Sequence, residues 1–169
     1  MTAMLRALFP GSFDPPSHGH LNIIHRISSI YDEIDVVVAT NPEKQYTFDA
    51  DERLELMRTL CDPYHNVRVH QWDRLIVEFA EKVGARVMIR GVRALSDFEY
   101  EFELSMINKG LNPRIETFFM PTDSKYFVLR SSAIKELARL EGDISRMVPD
   151  IVAERLKEKV KRARRTGSE

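Results

Sequence analysis

The chain has 169 residues, 43% hydrophobic and 30% charged, with 25 basic side chains against 26 acidic ones for a net charge of −1. At ~150 residues per domain this length reads as one domain, residues 1–169, able to bury roughly two-thirds of its unfolded surface; the charge balance excludes a wholly basic nucleic-acid coat and a disordered acidic tail protein. A single cysteine, Cys61, supports neither an internal disulfide nor a cysteine-rich zinc site, which points to a cytoplasmic setting, and no signal peptide or membrane span of ~18 apolar residues is expected.

Five short β-branched or aromatic runs punctuate the chain, at Leu5–Phe9, Ile34–Ala39, Val67–Val69, Val87–Ile89 and Ile115–Met120. Between them lie helical patterns. Leu21, Ile24 and Ile27 follow the first run. Asp49 is a candidate N-cap with Glu52 three residues on, ahead of Leu54, Met57, Leu60 and Cys61 at helical spacing. Leu75, Ile76, Phe79, Ala80 and Val83 repeat the pattern before Gly84, a C-terminal stop signal. Ser96 and Glu99 have capping-box spacing for a helix from Asp97 to about Lys109, closed by Gly110 and Pro113. Strands alternating with helices predict right-handed βαβ units, hence an α/β fold with a parallel five-stranded sheet and helices on both faces.

The Asp97–Lys109 helix is apolar along two lines, Phe98, Phe102 and Met106 on one and Tyr100, Leu104 and Ile107 on the other. Burial between the sheet and a second subunit would use both, so a homo-oligomer is expected; packing within one chain is the alternative. Residues 156–169 form a basic C-terminal helix and tail of net charge +4, leaving −5 for residues 1–155. Such a tail suits nucleic acid or a membrane, or is simply the solvated side of a last helix. The stripe of Val152, Leu156, Val160 and Ala163 favours the last reading, with neither nucleic acid nor membrane as partner.

Ligands of an open parallel sheet bind beyond the carboxyl ends of its strands. The first run is followed by Pro10-Gly11-Ser12-Phe13-Asp14-Pro15-Pro16-Ser17-His18-Gly19-His20, a turn opening a helix, where backbone N–H groups and the helix dipole favour an anion. The second is followed by Asn41-Pro42-Glu43-Lys44, the fourth by Arg90-Gly91-Val92-Arg93, and the fifth by a polar loop reaching Arg130-Ser131-Ser132. Lys44, Arg90, Arg93 and Arg130 are thus expected around one crevice with Ser12 and His20 at its floor. Neither G-x-x-x-x-G-K-[ST] nor G-x-G-x-x-G occurs, no H-E-x-x-H is present, and His25, His65 and His70 have no metal-ligand spacing. What remains is a site that aligns two phosphate-bearing ligands and neutralises charge developing between them.

Gly11-Ser12-Phe13-Asp14-Pro15 followed by Ser17-His18-Gly19-His20 resembles the H-x-G-H signature of the nucleotidyltransferase superfamily. Ile89-Arg90-Gly91-Val92-Arg93, Asp97-Phe98-Glu99-Tyr100-Glu101 and Ser131-Ser132-x-x-Lys135-Glu136 resemble, in order and spacing, the bacterial phosphopantetheine adenylyltransferases, over about residues 5 to 160. The resemblance implies a Rossmann-like doubly wound fold, a homohexamer, and transfer of the adenylyl group of ATP to 4′-phosphopantetheine by direct in-line attack, assisted by Mg2+, giving dephospho-coenzyme A and pyrophosphate in the penultimate step of coenzyme A synthesis. It implies that His20, Lys44 and Arg93 are catalytic, with no metal held by side chains. ATP would meet Ser12, Phe13, His20, Gly91, Val92, Arg93, Glu101 and the loop Tyr126, Phe127, Val128, Leu129, Arg130, Ser131 and Ser132. Phosphopantetheine would meet Ser12, Lys44, Ile76, Arg90 and Asn108.

Three positions depart from that pattern. Ser12 stands where Thr is common and keeps the hydroxyl; Ser17 replaces the usual Thr or His; and Arg130 falls where the first of three serines is usual, either adding charge to a triphosphate site or turning outward. Taken alone, His18 reads as solvent-facing, Asp97 and Glu99 as capping residues, and Cys61 and Trp72 as packing. The competing functions are adenylyltransferases for nicotinamide mononucleotide, cytidylyltransferases for alcohol phosphates, and, outside enzymes, a nucleotide sensor or an RNA-binding module using the basic tail.

Overall fold

Side-chain alternation in the first strand sets the layers of the molecule. In the computed structural model, which describes residues 4–126 and 130–166, β1 spans Arg6–Gly11, and its Ala7 and Phe9 face one side of the sheet while Leu8 faces the other. The strands β2 (Glu33–Ala39), β3 (Val67–Trp72), β4 (Val87–Val92) and β5 (Glu116–Pro121) join it, all parallel, in the order β3-β2-β1-β4-β5. Four of the five run past the carboxyl end of the apolar stretch that announces them, because ladder hydrogen bonds continue beyond it, while β2 ends with its stretch at Ala39.

Val36, Val38 and Ile89 share the side of Phe9 and meet Ile23, Ile24 and Ile27 of α1 (His18–Ser28) and Met57 and Cys61 of α2 (Ala50–Cys61). Val37 and Met88 share the side of Leu8 and meet Val77, Phe79 and Ala80 of α3 (Ile76–Val83). Apolar residues on both faces are what a buried parallel sheet requires, and they explain why β1, β2 and β4 read as continuous hydrophobic runs. The chain is therefore doubly wound, and the strand order reverses between β1 and β4, the switch point where a crevice opens.

The two helix signals at Asp49 and Gly84 are realised. Asp49 accepts from the Glu52 N–H at 2.9 Å while Glu52 accepts from the Asp49 N–H at 2.9 Å, and Gly84 ends α3 at φ 72. The next helix differs from expectation. α4 runs Leu95–Leu111 with Ala94 as N-cap and no side-chain cap, so the Ser96–Glu99 box does not form: Ser96 Oγ instead accepts from Arg130, and Asp97 from Arg93. Gly110 lies inside the helix rather than closing it, and Asn112 is the cap; one glycine costs only about 1 kcal/mol, and Lys109 anchors the end by donating to the Pro113 carbonyl at 2.8 Å.

Two further helices, α5 (Ser131–Arg139), which the apolar spacing did not announce, and α6 (Asp150–Thr166), pack on the back of α2 through Ile134, Ala138, Val152, Ala153 and Leu156 against Leu56 and Phe48. The predicted α6 stripe holds from Val152 through Val160, while Ala163 is exposed. Basic side chains of α6 turn to α2: Arg155 reaches Glu55 at 3.3 Å and Lys159 reaches Glu52 at 2.6 Å. No helix among the described residues is long and apolar enough to cross a membrane.

Candidate active site

The turn after β1 is shaped by an aromatic ring. Phe13 takes φ 49, a left-handed conformation rare for a bulky residue, and its buried ring folds back under Gly11, where a Cβ would lie 2.9 Å from Phe13 Cζ. Ser17 then caps α1. Its hydroxyl accepts from the His20 N–H at 3.4 Å, and its own backbone N–H donates to His20 Nδ1 at 3.1 Å. Because Nδ1 accepts from a backbone N–H, the proton of neutral His20 sits on Nε2. The ring is held edge-on to Phe13, centroids 5.1 Å apart, at the floor of the cleft. Burial, then the positive charges of Arg93 and Arg90, pull its pKa down to about 4. Near neutral pH, His20 is thus an uncharged, pre-aimed Nε2–H donor.

Around it opens a cleft of about 630 Å³ at the carboxyl ends of β1 and β4, a volume ordinary for a small-molecule site. Among the described residues five cationic side chains line it, Lys44, Arg90, Arg93, Arg130 and Lys135, against three carboxylates, Asp14, Asp97 and Glu101, so with His20 neutral these residues give the cleft an excess of two positive charges. That bias suits a polyanion. Arg90 is fixed by a two-point pair with Glu101, at 2.5 and 2.8 Å, and by the Pro10 carbonyl at 2.8 Å. Arg93 pairs with Asp97 at 3.0 Å, and Arg130 donates to Ser96 Oγ at 3.0 Å. Lys135 meets the buried Asp14 at 3.1 Å; Asp14 also accepts from the N–H groups of Thr47 and Phe48, each at 2.9 Å. Lys44 stands exposed at the rim, 5.8 Å over the Tyr46 ring. Gly91 allows α1 to approach β4 closely, since a Cβ there would fall 2.3 Å from Ile23 Cδ1.

Of the residues expected from sequence, Ser12, Phe13, His20, Lys44, Arg90, Gly91, Arg93, Glu101, Arg130, Ser131 and Ser132 all line this cleft. Arg130 stands at the mouth of the cleft, its side chain 55% exposed while it reaches Ser96. Val92, Ile76 and Asn108 do not line it: Val92 ends β4 beside Pro121, Ile76 packs on the α3 side of the sheet, and Asn108 Nδ2 points to Met88 Sδ at 3.7 Å. Tyr126 also lies outside the lining. Its ring stacks on His18, centroids 6.4 Å apart, so His18 is half-buried in the first turn of α1 rather than solvent-facing. Phe127, Val128 and Leu129 fall outside the described residues. Sequence reasoning passed over Asp14 and Lys135 as site residues and read Asp97 as a cap; the Lys135 in the Ser131–Glu136 block was the available signal.

The fold and cleft define a cytidylyltransferase-like domain, whose family model matches residues 8–137. Among solved structures, a putative nicotinate-nucleotide adenylyltransferase from Vibrio parahaemolyticus superposes with a TM-score of 0.68 over 95% of this chain and 96% of that one at 20% identity, a likeness of fold. Phosphopantetheine adenylyltransferases are far nearer in sequence. That of Caldanaerobacter subterraneus subsp. tengcongensis is 48% identical over 93% of this chain and 98% of its own, that of Dictyoglomus turgidum 46% over 94% and 99%, and that of Staphylococcus carnosus 46% over 91% and 96%. The chain belongs to the phosphopantetheine adenylyltransferase family.

Proposed function

We propose that this protein transfers the adenylyl group of ATP to 4′-phosphopantetheine, forming dephospho-coenzyme A and pyrophosphate. The observation that carries the mechanism is the neutral Nε2–H of His20 on the floor of a cation-lined cleft, in a chain of this family. In this reading a phosphate oxygen of phosphopantetheine forms a bond to the α-phosphorus of ATP, the bond from that phosphorus to the bridging oxygen breaks, and pyrophosphate leaves in line. No protein nucleophile takes part. His20 donates to a non-bridging α-phosphate oxygen as charge builds there, a fixed donor that needs no reorganisation. Ser12, Lys44 and Arg90 hold the acceptor phosphate; Phe13, Gly91, Arg93, Glu101 and Arg130–Ser132 serve the nucleotide, with Arg93 and Arg130 on the leaving pyrophosphate.

Among the described residues no three His, Cys, Asp or Glu converge on a metal position, and the cleft carboxylates Asp14, Asp97 and Glu101 are each already paired with a cation. These residues do not fit a resident metal. Mg2+ belongs to this reading as the counter-ion that ATP brings, held by phosphate oxygens and water.

A homo-oligomer, a hexamer by family likeness, completes the proposal. None of α4's residues is buried, and Phe98, Tyr100, Phe102, Met106, Ile107 and Leu111 stay exposed, with the Phe98 ring edge-on to Phe119 of β5, centroids 5.0 Å apart. An apolar patch of that size is a surface to be covered. The cytoplasmic setting rests on the lone buried Cys61.

The test is pyrophosphate release with ATP, Mg2+ and 4′-phosphopantetheine, beside arms that replace the acceptor with nicotinamide mononucleotide or an alcohol phosphate and ATP with CTP. Release that needs phosphopantetheine and ATP together is the expected result. Release in another arm alone would move the assignment to that chemistry, and nucleotide binding with no release in any arm would favour the sensor.

A further inference from the structure

Beneath the cleft lies a guanidinium that the proposed chemistry does not use. Arg53 of α2 is 0% exposed, yet its N–H groups go to neutral oxygens: Nη1 donates to the carbonyls of Ser12 at 2.8 Å and Ala39 at 3.0 Å, Nη2 to Thr40 Oγ1 at 3.1 Å and Nε to the Asp49 carbonyl at 3.3 Å. Its Cζ lies over the Tyr46 ring, 3.9 Å from the centroid. The Tyr46 hydroxyl in turn accepts from the Asn41 N–H at 2.9 Å and so closes the loop of residues 41–46, in whose turn the Lys44 N–H donates to the Asn41 carbonyl at 3.0 Å.

One side chain therefore grips both halves of the acceptor end of the cleft: the turn bearing Ser12 and, through Tyr46, the loop bearing Lys44. We propose that Arg53 is a positioning residue that holds these two segments in register as a single phosphate-binding subsite. A physical consequence supports the assignment. A trans peptide points its N–H opposite its C=O, so drawing the Ser12 carbonyl inward to Arg53 turns the Phe13 N–H away from the guanidinium, toward the cleft. Hydrogen bonds to neutral oxygens also leave the guanidinium without an ion-pair partner at contact distance among the described residues, and the Asp14 and Asp49 carboxylates offset its charge only through space. Lysine cannot replace this arrangement, because it has neither the planar fork nor the stacking face.

The proposal deepens the adenylyltransferase reading, and the experiment separates the two. Amide hydrogen exchange is measured on wild type, Arg53→Lys and Tyr46→Leu, the last leaving the buried charge in place should Arg53→Lys fold poorly. Faster exchange in both residues 11–14 and 41–46, with the α6 amides unchanged, is expected; unchanged exchange at both segments would overturn the clamp. In the kinetic arm, the KM for phosphopantetheine should rise roughly tenfold or more while the KM for ATP stays within about twofold, as loss of hydrogen bonds to a charged group implies. Tyr46→Phe, which keeps the stack and loses only the bond from the Asn41 N–H, should fall between wild type and Tyr46→Leu. An equal rise in both KM values would mark general loosening and overturn the proposal. Wild type that releases no pyrophosphate with phosphopantetheine would remove the functional reading, and hydrogen exchange would still decide the clamp.

Discussion

The protonation state of His20 offers the sharpest test of the site. An ordinary histidine titrates at 6.5, whereas burial and the neighbouring Arg93 and Arg90 place His20 at about 4. At pH 7 only ~10⁻³ of molecules would then carry an imidazolium, and the span from 6.5 to about 4 corresponds to about 3 kcal/mol. Protonation is doubly opposed, since Nδ1 would have to surrender the Ser17 N–H that it accepts. The sign of the linkage follows. Between pH 6.5 and about 4 the unfolded chain binds the proton and the folded chain does not, so this group makes the protein less stable as pH falls through that window, with the full penalty present below it. Two assays read it. The His20 ring resonances, followed by NMR, should stay in the neutral Nε2–H form down to about pH 5. Denaturant unfolding of wild type against His20→Ala across pH 7 to 4 should give a stability difference that shrinks or reverses in favour of the variant by up to about 3 kcal/mol. At every pH the variant should lose ~10²–10³ in kcat, the loss typical of one transition-state donor. Arg93→Gln should move the His20 titration upward. A His20 pKa of 6 or above in the wild type would refute the argument that burial and the two arginines keep the ring neutral.

Three other outcomes follow from the geometry. Gly91→Ala sets a methyl against the buried Ile23, and the overlap should cost about 1–3 kcal/mol in denaturant unfolding together with reduced activity, as α1 is displaced from the cleft floor. Ile107→Glu or Phe102→Glu, at residues that are 58% and 48% exposed, should leave the melting temperature of the monomer nearly unchanged while lowering the mass measured by light scattering; an unchanged mass would show that α4 is not the contact. Burial pushes the Cys61 thiol up to about 12, so it should resist a thiol reagent at pH 8 in the native state and react promptly once the chain is unfolded.

Much of this molecule is written locally. The strands of an α/β sheet buried on both faces must be short continuous apolar runs, and capping signals at Asp49 and Gly84 are decided by atoms three or four residues apart, so sequence alone placed them. The anion-binding residues were equally legible, because in a parallel sheet whatever follows a strand meets at one edge; Ser12, His20, Lys44, Arg90 and Arg93 converge for that reason. Partner choice was not legible. Ser96 has the local pattern of a cap, yet its hydroxyl accepts from Arg130, 34 residues on, a choice settled only when the segment before α5 is brought to the start of α4; the Arg93–Asp97 pair, four residues apart, is by contrast local. What holds for Ser96 holds for Arg53, one more arginine in an amphipathic helix until the fold sets the carbonyls of Ser12 and Ala39 around it, and for His20, whose tautomer and lowered pKa come from burial and charges some seventy residues away in the chain. Local propensity and periodicity act over a few residues and therefore reside in the sequence; desolvation and long-range hydrogen bonding depend on distances that only the tertiary structure creates.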